Sequence, residues 1–184
     1  MGEDKLLMEY HGKLILQHSI DLLIELPVYE RILVTTDTRT KLLTIPQDIR
    51  LIINPHPENG LSSSINIGVN EATGTHYLFL TADQPRLKLA NIRPLITAPN
   101  NYPDKIIYPL VNSNPCSPTL FPSRFRNELL NLFDPSLSNQ NDHGGRIIRD
   151  KNKQHCLAIK AENPENFTDI DNIDDYKNLN KEWI

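Results

Sequence analysis

Asp83 follows His76-Tyr77-Leu78-Phe79-Leu80-Thr81, a strand-like run, and precedes Gln84-Pro85. An aspartate just past the carboxyl end of a strand points into the crevice where open α/β sheets take their ligands. A hard cation such as Mg²⁺ is held in such places by one or two carboxylates together with phosphate oxygens. The plainer account is that Asp83 caps the turn that Pro85 fixes, and position alone leaves both open. A second source of carboxylates is Asp169-Ile170-Asp171-Asn172-Ile173-Asp174-Asp175. Acidic groups at a helix start meet the positive end of its dipole, so capping accounts for several of them without a metal. A third constellation is Gly60-Leu61-Ser62-Ser63-Ser64. Amides and hydroxyls at a helix N-terminus can receive an anion or a base edge, and ordinary capping fits equally well.

These groups need elements to hold them. Leu14, Leu16, Ile20, Leu22, Leu23 and Leu26 mark a broad apolar helical face, which predicts a helix over Lys13 to Leu26. Arg31 to Thr36 reads as a buried strand, Asp37 as the cap of a short helix to Leu43, and Arg50 to Asn54 as a second strand. A Pro-rich loop over 55–60 leads to a helix opened by Ser62, Ser63 and Ser64 and ending near Ala72. His76 to Thr81 is a third strand, and the loop 82–85 leads to a helix over Leu87 to Ile96. Further strands fit Ile106 to Leu110, Thr119 to Phe121 and Cys156 to Ile159, and further helices Ser123 to Phe133, Gly144 to Asp150 and Ile173 to Leu179. Strands alternating with helices predict an α/β fold, three layers αβα around a mostly parallel sheet. The stretch Asn112 to Pro122 reads as an excursion over the ligand end of that sheet.

Composition narrows the partners. A chain of 184 residues is one ordinary domain, able to bury roughly 70% of its surface without a staple. Lys+Arg 19 against Asp+Glu 23 leaves a net charge of −4, and no basic run offers a footprint for nucleic acid. Cys116 and Cys156 form no C-x-x-C pair and read as reduced thiols of a cytoplasmic protein. No stretch approaches the ~18 apolar residues of a membrane span, and none has the form of a signal peptide. The six histidines show no zinc spacing, and no Gly-x-Ser-x-Gly elbow occurs.

The order of the short motifs resembles the molybdenum cofactor nucleotidyltransferases among the MobA-like NTP transferases, and the cytidylyltransferase branch most closely. Asn54-Pro55 through Glu58-Asn59-Gly60-Leu61-Ser62-Ser63-Ser64-Ile65 resembles that family's Asn-Pro…Glu-Gly-Met-x-x-Ser-Leu segment. Leu80-Thr81-Ala82-Asp83-Gln84-Pro85 resembles its Leu-x-x-Asp-Gln-Pro, and Ser117-Pro118-Thr119-Leu120-Phe121 its Gly-x-Pro-x-x-Phe loop. Asp142-His143-Gly144-Gly145-Arg146 resembles Asp-x-Gly-Gly-Arg, and Asp169-Ile170-Asp171 opens a segment like Asp-Ile-Asp-Thr-Pro-Glu-Asp. The resemblance implies a Rossmann-like sheet of the nucleotide-diphospho-sugar transferase type. It further implies transfer of CMP from CTP onto molybdenum cofactor with release of diphosphate. Asp83 and Asp171 would then be the Mg²⁺ ligands, Lys5 a catalytic phosphate-holding cation beside Asp83, and Gly2, Ser63 and Ser64 nucleotide contacts. Pro118, Gly144, Gly145 and Arg146 would meet the molybdopterin.

One departure is large. Family members start with a strand and Leu-Ala-Ala-Gly-x-Ser-x-Arg-Met-Gly-x-x-Lys, of which Met1-Gly2-Glu3-Asp4-Lys5 matches only the tail. Residues 1–184 are therefore expected to be a single such domain shortened at its N-terminus, by a start assigned too late or by natural loss. Two alternatives stay open. One is a non-catalytic accessory protein that binds the cofactor or a molybdenum hydroxylase; the other is a nucleotidyltransferase with a different phosphorylated acceptor. A lysine before an amphipathic helix is also an ordinary surface residue, and Gly144-Gly145 an ordinary turn.

Overall fold

The structure is a computed structural model and describes residues 4–133 and 144–181. Gly2 and His143 lie outside them. Asp4 opens the described chain by accepting the Leu6 amide at 3.2 Å and starts a 3-10 turn over Lys5–Leu7. Next come β1 (Glu9–Tyr10) and β2 (Lys13–Leu14), a hairpin in which Tyr10 faces Lys13. His11 and Gly12 turn it with φ of 51° and 73°, the left-handed pair that suits a two-residue hairpin loop. Lys13 and Leu14 are thus strand, and the first helix, α1, covers Ile15–Glu25. It buries Ile15, Leu16, Ile20 and Leu22.

The chain then alternates. β3 (Ile32–Thr35), α2 (Asp37–Thr40) and β4 (Arg50–Ile53) form a parallel pair of strands with Thr35 beside Ile53. The cap of α2 is Thr36, whose hydroxyl accepts the Arg39 amide, and not Asp37. α3 (Gly60–Glu71), β5 (His76–Phe79) and α4 (Leu89–Thr97) follow. β6 (Ile106–Val111) turns through Asn112 and Ser113, both at positive φ, into β7 (Asn114–Pro115), and β8 (Thr119–Pro122) comes next. α5 (Arg126–Leu130), α6 (Arg146–Lys151), β9 (Cys156–Lys160) and α7 (Ile173–Lys181) complete the described elements.

The architecture is α/β, and its sheet is mixed rather than mostly parallel. β6 pairs with β9 in parallel, but β8 runs antiparallel to both β5 and β6. The cause is the 112–118 connection, which is too short for the helical crossover a parallel neighbour demands. What reads in sequence as an excursion over the ligand end is this hairpin and its return. Ile106 and Ile107 of β6 are fully buried at the centre of the sheet. α3 and α5 pack against it through Ile65, Val69 and Leu129, while Leu22 of α1, Leu26 just past its end and Ile92 of α4 join a second apolar cluster.

Candidate active site

Asp83 and the end of α3 sit where they do because both follow carboxyl ends of strands, Asp83 after β5 and Gly60 after β4. The backbone carries Asp83 to the acidic C-terminal segment: the Ile170 amide donates to the Asp83 carbonyl at 3.0 Å. Gln84, 2% exposed, donates its amide to the Ser117 carbonyl at 3.2 Å and the Phe167 carbonyl at 3.1 Å. Three loops distant in sequence are thereby tied together. Into this corner comes Lys5, whose Nζ donates to Asp83 Oδ2 at 2.9 Å and Asp171 Oδ1 at 3.2 Å. Lys5 is itself held by its neighbour. Asp4 takes both the Nε and Nη2 donors of Arg39, at 2.6 and 3.1 Å, a two-point carboxylate–guanidinium clamp.

The acidic run divides its labour. Asn172 Oδ1 accepts the Asp174 and Asp175 amides, and Asp175 Oδ2 accepts those of Asp171 and Asn172, so these two residues cap α7. That leaves Asp171 turned to Lys5. Burial works against the Lys5 ammonium, yet its bonds to Asp83 and Asp171 outweigh it and hold the pKa above the ordinary value. Asp169 moves furthest: desolvation, then the Asp83 and Asp171 charges, raise its carboxyl from 3.8 to about 6, against a pull downward from Gln84 and Lys5. Asp83 Oδ1 is buried without a hydrogen-bond partner among the described residues. An orphaned carboxylate oxygen beside two further carboxylates fits a hard divalent cation. Among the described residues no three His, Cys, Asp or Glu side chains converge into a ready-made metal site, so such a cation would take its remaining oxygens from substrate and water.

The two serines differ. Asn54, 4% exposed, donates its side-chain amide to Ser63 Oγ at 2.9 Å and Ser64 Oγ at 3.0 Å. Ser63 is buried too and donates onward to the Gly60 carbonyl, which makes it part of the loop's internal bracing. Ser64, half-buried, lines a cleft of about 660 Å³ that also reaches Leu6, Arg39 and Ala82, the neighbours of Lys5 and Asp83. Gly144 lies against the same helix end, and Gly145 against Phe121 of β8. A Cβ on Gly144 would stand 2.9 Å from Leu61 of α3, and one on Gly145 3.1 Å from Phe121. Gly144 also has φ +51°, so the turn needs glycine for its own packing before any ligand is considered. Arg146 is exposed at the start of α6. Pro118 is fully buried behind a cis Ser117–Pro118 bond.

Four contributors carry little sequence signal. Arg39 is 35 positions from Asp4 and nothing in the local pattern pairs them. Asn54 and Gln84 stand inside recognisable motifs, but their bracing role depends on partners that only the fold supplies. Asp169 and Asp171 flank Ile170, which is 1% exposed, and the letters alone do not say that Asp171 is the one that accepts from Lys5.

With this geometry in view, a family model of the MobA-like NTP transferase domain matches residues 1–156. Among solved structures, the chain is similar to the manganese complex of Rv0371c from Mycobacterium tuberculosis H37Rv. The identity is 18%, the match covers 97% of this chain and 92% of that one, and the TM-score is 0.75. It is also similar to a nucleotidyl transferase from Methanothermobacter, at 18% identity over 97% and 84% of the two chains with a TM-score of 0.72. A third is the molybdopterin-guanine dinucleotide biosynthesis protein A from Archaeoglobus fulgidus, at 14% identity over 98% and 90% with a TM-score of 0.70. Identities this low show a shared fold. No match is found among the curated proteins.

Proposed function

The chain belongs to the family of MobA-like NTP transferase domains, and on that premise we propose that it transfers CMP from CTP to the terminal phosphate of molybdenum cofactor in the cytoplasm. An acceptor phosphate oxygen attacks the α-phosphorus of CTP. The bond from that phosphorus to the bridging oxygen breaks, and diphosphate leaves with the electron pair. Asp83 and Asp171 would hold Mg²⁺, which when bound offsets charge on the phosphates. Lys5 then contributes a second, mobile positive charge to the phosphate chain once its carboxylate partners are otherwise occupied. Ser64 meets the nucleotide in the cleft, with Ser63 and Asn54 fixing its orientation. Arg146, exposed at the start of α6, is the acceptor-phosphate contact, and Gly144 and Gly145 let the backbone come close. Gly2 keeps its assignment as a nucleotide contact on the motif alone.

The observation that carries this reading is the Lys5 ammonium within hydrogen-bonding distance of both Asp83 and Asp171. A purely accessory protein has no chemical need for a cation-seeking corner built from three distant segments, which is why transfer is preferred to binding alone. The test is incubation with α-labelled CTP, Mg²⁺ and molybdenum cofactor, with diphosphate release and labelled dinucleotide as the readouts. Both should be weak or undetectable from residues 1–184 alone, appear once an opening strand and glycine-rich loop are supplied ahead of Met1, and be lost again with Asp83→Asn. Labelled product from another phosphorylated acceptor, and none from molybdenum cofactor, would overturn the acceptor; no transfer to any acceptor beside retained cofactor binding would favour the accessory role.

A further inference from the structure

Arg31 and Arg126 show what a partly buried arginine does here for structure alone. Arg31 donates from Nε and Nη2 to the Leu23, Ile24 and Leu26 carbonyls at the end of α1. Arg126 donates from Nη1 and Nη2 to the Ala72 and Asn70 carbonyls at the end of α3, and to the Tyr77 hydroxyl. Each fork is spent on carbonyls that a helix end leaves open. Arg149 of α6 is buried more deeply, its side chain 9% exposed against 18% for Arg31, and is spent far less. Its Nε donates to Asp150 Oδ1 at 2.9 Å, and its guanidinium lies 5.2 Å from the centre of the Tyr108 ring on β6. Its two terminal nitrogens make no hydrogen bond among the described residues, and neither is sealed from solvent. The donors of both stay uncommitted.

Taking a cation out of water costs free energy unless it is fully paired. Asp150 offsets only part of that cost, since it is half exposed and meets Nε alone. Tyr108 holds the guanidinium by its ring and uses none of the N–H donors. The arrangement fixes a two-pronged donor and leaves its prongs without a protein partner among the described residues. Arg146, three positions earlier on the same helix side, is exposed. The Cys116 thiol, in the return from β7 to β8, feels the Asp169 charge together with those of Arg149 and Arg146. Both arginines and the acidic corner therefore border one loop. In a chain of net charge −4, an anion there is held by these local cations. We propose that Arg149 is a further acceptor-binding residue, whose terminal nitrogens take two oxygens of a phosphate monoester while Arg146 neutralises it from the rim. This role rests on the transfer to a phosphorylated acceptor proposed above. A monoester dianion has three terminal oxygens; a guanidinium fork takes two and leaves the third, with its lone pairs, to attack the α-phosphorus. Bond formation makes that oxygen the bridge of the product and lowers the charge on the acceptor phosphate from two to one. The two guanidiniums thus hold substrate more tightly than product, and they select monoesters over diesters.

The experiment uses the whole chain with isotope-labelled arginine. Its probe is phenyl phosphate, and its control is methyl phenyl phosphate, the diester, at matched ionic strength. The Nε–Hε signals of Arg149 and Arg146, assigned through Arg149→Lys and Arg146→Lys, should shift saturably with the monoester, and that of the exposed Arg124 should not. The diester should bind at least about tenfold more weakly. Arg149→Lys should weaken the monoester by a similar factor, because an ammonium keeps the charge and loses the fork. A lowered melting temperature for Arg149→Lys beside unchanged monoester affinity would make Arg149 a structural residue like Arg31 and overturn the proposal. An equal shift with the diester, or no shift at Arg149 in the unsubstituted chain, would overturn it as well. Transfer is judged apart from this titration. Monoester bound at Arg149 without labelled product from any acceptor would keep the subsite and remove the transfer reading, and product formed with no monoester contact at Arg149 would do the converse.

Discussion

Among the described residues Lys5 donates to Asp83 and Asp171, whereas Asp169 feels its charge without a hydrogen bond to it, although all three share one corner. A single ammonium compensates two carboxylates at 2.9 and 3.2 Å; a third negative charge there has no equal partner. Desolvation of the carboxyl, and then the charges of Asp83 and Asp171, hold its proton to about 6, in place of 3.8. The sign for stability follows from proton linkage. A carboxyl whose pKa is higher in the folded state binds its proton more tightly there, so its contribution is complete below 3.8 and is lost as pH rises through about 6. We expect the Asp169 carboxyl carbon to titrate near 6 in NMR, and the melting temperature of Asp169→Asn to fall less than that of the parent protein over the same rise in pH. A carboxyl titrating at its ordinary value, or parallel pH profiles for the two proteins, would contradict this account. The same residue shows what sequence conceals: Asp169 and Asp171 are equivalent as letters, and only the segment's pairing through Ile170 to Asp83 sets one against Lys5 and leaves the other to hold a proton.

At the scale of elements, the opening of α3 joins structure and recognition in adjacent residues. Ser63 accepts from Asn54 and donates to Gly60, entirely inside the protein, while Ser64 shares the Asn54 amide and lines the cleft. Ser63→Ala should therefore lower the melting temperature, by an equivalent of ~1–3 kcal/mol for a buried partner left unpaired, and leave the ratio of CTP to GTP affinity unchanged. Ser64→Ala should do the reverse, moving the ratio with little change in melting. A shifted ratio from Ser63→Ala, beside none from Ser64→Ala, would exchange the two roles. The elements that sequence discloses well are those whose signal is internal. The apolar stripe of α1, the run ending at Thr81 before Asp83, and the turn residues of 55–60 each specify themselves. The elements it conceals depend on partners or on turn handedness. The β1–β2 hairpin rests on a left-handed His11, and the β6–β7 hairpin on left-handed Asn112 and Ser113, neither carrying the Asn-Gly pair that announces such turns. The mixed sheet follows from that second hairpin, because alternation of strand and helix says nothing about a return strand reached by a short link. In the same way Thr36, and not the more obvious Asp37, caps α2 because its hydroxyl reaches the Arg39 amide.

Across the described residues the strands that flank the site fall into two separate sheets of unequal support, β3–β4 and the five strands from β5 to β9. β6 is flanked by β8 and β9, carries Ile106 and Ile107 fully buried, and sits between the clusters built on α3 and α4. Among the described residues β3 pairs with β4 alone, and β4 leaves Leu51 and Ile53 40% and 38% exposed. Fewer buried contacts mean a lower free energy for local opening. What restrains β3 comes from its ends and one face: Glu30 bonded to Thr73 and Gly74, Arg31 donating to the Leu23, Ile24 and Leu26 carbonyls at the end of α1, and Leu33 among the side chains of that helix. These tie the pair to its neighbours but, among the described residues, add no main-chain partner on the second edge of β3. Native-state hydrogen exchange in rising urea should therefore resolve two openings. The amides of β6 and β8 should exchange only through global unfolding, with the full urea slope. Those of β3 and β4 should exchange through a smaller opening with a shallower slope. The Asp4–Arg39 clamp links the weaker part to the 3-10 turn that carries Lys5. Opening of β3 and β4 should accordingly loosen the Lys5 contact with Asp83 and Asp171, and divalent binding in that corner should raise the protection of β3 along with its own. A single opening free energy and slope for all four strands would show that the sheet acts as one cooperative unit and that its unpaired edges carry no mechanical consequence.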